Sequence, residues 1–166
     1  MKDKTFVLVC YGRSTISKLI SIFTKSKITH VGFKVILEGK VFIAESQKDG
    51  FQLKTYENWA KQFKYKYEEY EVPSSYKDVR LNIYDNLSQV PYDFRLFVLR
   101  YPRHILSKMF NRKDKLDSVR NEEKRQICSE SVAFCLGWGS PESYLPITVS
   151  ERIILEGWVK TNQTNK

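Results

Sequence analysis

The sequence predicts a single domain of the α+β class. Strand-type runs and amphipathic helical patterns share one chain, two of the strands are joined by a tight turn, and 166 residues suffice for one proper core but not comfortably for two. Hydrophobic residues at 42%, charged residues at 28%, 7 Gly and 5 Pro exclude collagen-like, low-complexity and disordered chains.

Thr5 to Tyr11 (TFVLVCY) is a β-type run ended by Gly12. Ser14-Thr15 then caps ISKLISIF, in which Ile16, Leu19, Ile20 and Phe23 recur at helical spacing. Two β-branched and aromatic runs follow, Thr29 to Leu37 and Val41 to Ser46, separated by Glu38-Gly39-Lys40, and they read as a hairpin. Thr55 to Phe63 reads as a helix, Tyr67 to Val72 as a strand stopped by Pro73, and Tyr76 to Leu87 as a second helix before Pro91-Tyr92-Asp93. Arg95 to Arg125 alternates apolar clusters with bases, as a basic helical insertion with a loop. Gln126 to Leu136 (QICSESVAFCL) returns to a helical core pattern ended by Gly137, and a last apolar run spans Ile153 to Val159.

The hairpin fixes side-chain directions. With Glu38-Gly39 as a two-residue turn, Leu37 faces Lys40, Val35 faces Phe42, Phe33 faces Ala44 and His30 faces Gln47. One face then carries Val31, Phe33, Val35, Leu37, Phe42 and Ala44, a core set. The other carries His30, Gly32, Lys34, Ile36, Val41, Ile43 and Glu45, so His30 and Glu45 are diagonal neighbours with Cβ atoms roughly 5–8 Å apart. A carboxylate beside an imidazole fixes its tautomer and supports the imidazolium, as a general base requires. Gly32 leaves open space beside His30. A half-buried histidine with an incidental glutamate is the bland alternative.

Cys128 supplies a third partner, because it stands at the start of a helix. There the backbone N–H groups and the helix dipole favour a thiolate and can hold a developing oxyanion. The competing reading is a small buried hydrophobe, which fits Cys10 and Cys135 inside their apolar runs better. His104, the other histidine, lies among bases that disfavour its charged form and belongs on the surface. Two distant histidines and no CxxC pair give no metal-ligand cluster and imply no cofactor.

Taken together, Ser17-Lys18-Leu19-Ile20, Thr24, Ser26, Thr29-His30-Val31-Gly32, Ala44-Glu45-Ser46 and Cys128-Ser129-Glu130-Ser131-Val132 resemble the circularly permuted, NlpC-like branch of papain-fold cysteine hydrolases, the YiiX-like group. The resemblance runs from about Thr5 to Trp158 and includes Pro91-Tyr92-Asp93 and Leu145-Pro146-Ile147. It implies a permuted papain-like fold with a small antiparallel sheet, curled toward a barrel, packed against the nucleophile helix. It also implies Cys128 as nucleophile, His30 as base and then acid, and Glu45 as the residue orienting His30. Two departures stand out: the segment at about 95–125 is not part of the family's motif set, and Val149 stands where a proline often leads the last helix.

The expected activity is cleavage of an amide, in a peptide or cell-wall-type peptide, through a thioacyl intermediate. Two alternatives stay open: a lipid acyl hydrolase or acyltransferase acting on an acyl ester through the same residues, and a non-enzymatic basic module that binds membrane or nucleic acid. The net charge of +9 is uneven, with 10 bases against 4 acids in residues 95–125, so an anionic surface is the expected contact of that segment. No nucleic-acid-binding motif accompanies it. The longest apolar run near the start, Phe6 to Cys10, is far shorter than a signal-peptide core or a membrane span, so a cytoplasmic location is expected.

Overall fold

A computed structural model describes residues 3–47, 49–63, 66–87 and 127–164. The basic segment at about 95–125, with His104, lies outside them. The described elements, in chain order, are β1 (Lys4–Tyr11), α1 (Thr15–Thr24), β2 (His30–Leu37), β3 (Lys40–Gln47), β4 (Gly50–Thr55), α2 (Tyr56–Gln62), β5 (Lys66–Glu71), α3 (Val79–Asn86), α4 (Cys128–Cys135), a 3-10 turn (Pro141–Ser143), α5 (Pro146–Leu155) and β6 (Lys160–Thr164).

The six strands form one antiparallel sheet in the order β4-β3-β2-β1-β5-β6, packed against helices, which is the α+β class the sequence predicts. The sheet is open, which corrects the expected curl toward a barrel: β4 and β6 are opposite edges with four strands between them. β6 reads KTNQT, a polar strand of the kind that suits an edge facing water. β4 and β6 are absent from the sequence reading because neither has an alternating apolar pattern of useful length.

The hairpin turn forms as the sequence dictates. Glu38 and Gly39 both take positive φ, 48° and 79°, the geometry that matches the twist of the flanking strands. Phe33 pairs with Ala44, Val35 with Phe42 and Leu37 with Lys40. The ladder ends at Phe33, and β2 continues against β1, where His30 faces Cys10 rather than Gln47.

Val31, Phe33, Val35 and Ala44 are buried with Val7 and Val9 beneath Val132, Ala133, Val149 and Ile153 of α4 and α5. Leu37, at the turn, and Phe42 stay partly exposed. The opposite face has a smaller core of its own, in which Leu8, Cys10, Ile43 and Tyr67 pack around Trp59 of α2. Farther along that face Lys34 bonds both oxygens of Glu69, each at 2.9 Å.

Pro146 sits at the first turn of α5, and Val149 is a fully buried residue within the helix. A proline therefore does lead the last helix, three positions ahead of Val149.

Candidate functional site

The site forms where three pieces of chain meet. His30 opens β2, Glu45 lies two residues from the end of β3, and Cys128 is the first residue of α4. The sequence explains the start of α4: Ile127 is extended, and its N–H donates to Glu130 Oε2 at 2.9 Å. Glu130 thus caps the helix from its own first turn. Two serines then anchor α4. Ser131 Oγ lies 2.7 Å from Ser46 Oγ in a buried contact with β3, and Ser129 Oγ donates to the Tyr144 carbonyl at 2.7 Å.

His30 Nε2 lies 2.8 Å from Glu45 Oε2, the pair that the hairpin register predicts. Cys128 is the second group that acts on the His30 ring. All three sequence-predicted residues are therefore brought together. Burial alone would push the imidazole down. The charge of Cys128 and its hydrogen bond, then those of Glu45, reverse this and push it up to about 10. Cys128 is 1% and Glu45 2% exposed, whereas the His30 side chain is 21% exposed, so solvent meets the trio at the imidazole.

Glu45 is the more elaborately held partner. Its Oε2 also accepts from Trp59 Nε1 at 3.2 Å, its Oε1 accepts from Gln47 Nε2, and Gln47 Oε1 accepts from Lys54 Nζ at 2.8 Å. Burial pushes this carboxyl up, but His30, the Trp59 N–H and the Lys54 charge hold it below the ordinary carboxylate value. A buried, ionised carboxylate needs such donors.

Sequence reasoning missed Trp59, Gln47 and Lys54. Gln47 was within reach, since residues two apart on a strand share a face. Trp59 carries a weaker signal, the need of a buried indole N–H for an acceptor. Lys54 required β4.

The role expected for Gly32 changes. A Cβ there would meet the Ala44 carbonyl at 3.0 Å and Glu45 Cβ at 3.1 Å. The space that the missing side chain leaves is filled by β3 and Glu45 rather than kept for an approaching molecule.

The other two cysteines are buried. Cys10, across from His30, has its thiol pushed well above the ordinary value by burial and then by the charges of Glu45 and Cys128. Burial pushes Cys135 up to about 12.

No known protein family matches the chain by sequence, and no curated protein does. Among solved structures it is similar to the crystal structure of metalloprotein yiiX from Escherichia coli O157:H7 (DUF1105). The TM-score is 0.54 at 21% identity, over 80% of this chain and 63% of that one. The likeness is one of fold, and the chain spans less than two thirds of that protein's length. Among the described residues here, no group of three or more His, Cys, Asp and Glu side chains is placed to hold a metal ion. Among the same residues, no helix is long and apolar enough to cross a membrane.

Proposed function

We propose that this chain is a cysteine hydrolase that cleaves an amide bond, in a peptide or cell-wall-type peptide, with Cys128 as nucleophile, His30 as general base and acid, and Glu45 as the residue that orients His30. The observation that carries this reading is the position of the His30 ring between a buried carboxylate and a cysteine at a helix start. That constellation serves nucleophilic catalysis on unrelated folds. The likeness to yiiX supports the fold expected for such a site.

In the proposed reaction the Cys128 sulfur, its proton held by His30, attacks the carbonyl carbon. The oxyanion forms beside the first-turn N–H groups of α4, which have no acceptor within the helix. As the C–N bond breaks, His30 gives its proton to the leaving amine and a thioester remains. Water then attacks the thioester, His30 takes its proton, and the acid departs as the Cys128 sulfur is released. Glu45 stays ionised throughout and keeps Nε2–H fixed, so that Nδ1 serves the sulfur.

The test is intact-mass detection of a covalent adduct with a thiol-directed probe, run beside a panel of peptide amides and acyl esters. Wild type forms one adduct, and Cys128→Ala and His30→Ala lose turnover, while Cys135→Ala keeps both adduct and turnover. Equal labelling of wild type and Cys128→Ala would falsify the assignment. Turnover of acyl esters alone would move the substrate class from amide to ester.

A further inference from the structure

Away from the trio, α1 carries a surface that the proposed chemistry does not use. Leu19 is 46% and Ile22 70% exposed. Single exposed aliphatic residues are ordinary, but these two stand at i and i+3 and share the outward arc of the helix with Lys18, and the exposed Lys25 caps its C-terminal end, while Ile20 turns inward and is buried.

The charge around them is one-sided. No acidic residue occurs between Asp3 and Glu38, a stretch with six bases. Of these, Lys4 and Lys34 are neutralised by Glu71 and Glu69. Arg13, Lys18, Lys25 and Lys27 are exposed and have no acidic partner among the described residues.

α1 also lies at the site end of the sheet. It connects the end of β1 to His30, and the connection is closed by the Thr29 N–H to the Cys10 carbonyl at 3.0 Å and the Gly12 N–H to Thr29 Oγ1 at 2.8 Å.

We infer that α1 docks the protein on an anionic lipid surface, with Leu19 and Ile22 entering the headgroup–acyl boundary and Arg13, Lys18, Lys25 and Lys27 meeting the lipid charge. Exposed aliphatic residues on a helix, with cations beside them and at both of its ends, are what an interfacial helix requires. A nucleic acid would use the cations and leave the aliphatic pair idle. The inference is independent of the reaction assigned to Cys128, because binding is read without turnover.

The experiment is co-sedimentation of the full chain with vesicles of phosphatidylcholine alone and of phosphatidylcholine with phosphatidylserine, across a salt series. Wild type binds the phosphatidylserine vesicles and weakens as salt rises. Lys18→Gln with Lys25→Gln lowers binding on the order of tenfold or more, and Leu19→Ser with Ile22→Ser lowers it at fixed charge. Both pairs are exposed, and unchanged melting temperatures establish that the variants fold. Three results overturn the inference: no binding to either vesicle, binding untouched by Leu19→Ser with Ile22→Ser, or a self-associated dimer abolished by those same substitutions.

Discussion

The two ends of α4 each carry a cysteine, and their surroundings differ in helix position and in the partners offered to the sulfur. Cys128 opens the helix, where the positive end of the helix dipole favours negative charge, and it meets an imidazole backed by a carboxylate. Cys135 closes it, at the end where carbonyls disfavour negative charge. Among the described residues its sulfur has amide groups as hydrogen-bond partners, the Asn82 carbonyl at 3.7 Å and Asn86 Nδ2 at 3.8 Å. Just beyond that end the chain turns at Gly137, φ 69°, and Trp138 packs beneath Arg152 at 4.2 Å and against Trp158. Both sulfurs are buried to about the same degree, so burial does not distinguish them. Position along the helix and the nature of the partner do.

The largest effect expected of breaking this contrast is on turnover. Cys128→Ala abolishes adduct and product, whereas Cys135→Ala retains both and costs about 1 kcal/mol of stability through the lost packing, read by denaturant unfolding. Next comes His30→Ala, which lowers turnover by about 10²–10⁴-fold and also lowers the melting temperature, because the buried Glu45 loses its partner.

The His30 titration sharpens the contrast further. It is followed by ring NMR, and its value of about 10 falls in both Cys128→Ala and Glu45→Gln, with the larger fall in Cys128→Ala because the Cys128 charge is the largest raising influence. A Cys135→Ala variant leaves it in place.

The same shifts set a pH dependence of stability. The imidazole is raised from 6.5 to about 10, so its stabilisation is complete below 6.5 and is lost as pH rises through 10. The Glu45 carboxyl is lowered, so its share is present above the ordinary carboxylate value of 4.5 and is lost as pH falls below it. Melting temperature across pH therefore has both flanks, and His30→Gln flattens the alkaline one.

The smallest effect is that of Trp59→Phe, which keeps the ring in the small core but removes one donor from Glu45. It costs about 1 kcal/mol and lowers kcat more than it raises KM.

How much of this was legible follows from the distance over which each contact acts. The His30–Glu45 pair could be read because a two-residue turn at Glu38-Gly39 transmits register over a few residues. The start of α4 could be read because the charged lead-in Arg120 to Gln126 does not continue its apolar face. The sheet order could not, since β4 and β6 are short and their pairing depends on tertiary neighbours rather than on pattern. Trp59 was placed on a helix correctly, yet its bond to Glu45 needed the packing of α2 over β3, which nothing local encodes. The absent side chain at Gly32 was legible but what fills its place was not, because that is the neighbouring strand.

The buried Ser46–Ser131 contact joins residues 85 positions apart, whereas His30 and Glu45 are separated by 15. Closing the longer loop costs more chain entropy, so contacts of that range form late and slow a fold down. A chain holding only its hairpin has His30 and Glu45 but no sulfur beside them. The three side chains meet only when α4 seats on β3, so under the proposed reaction a partly folded chain carries no activated thiol with which to modify itself or its neighbours.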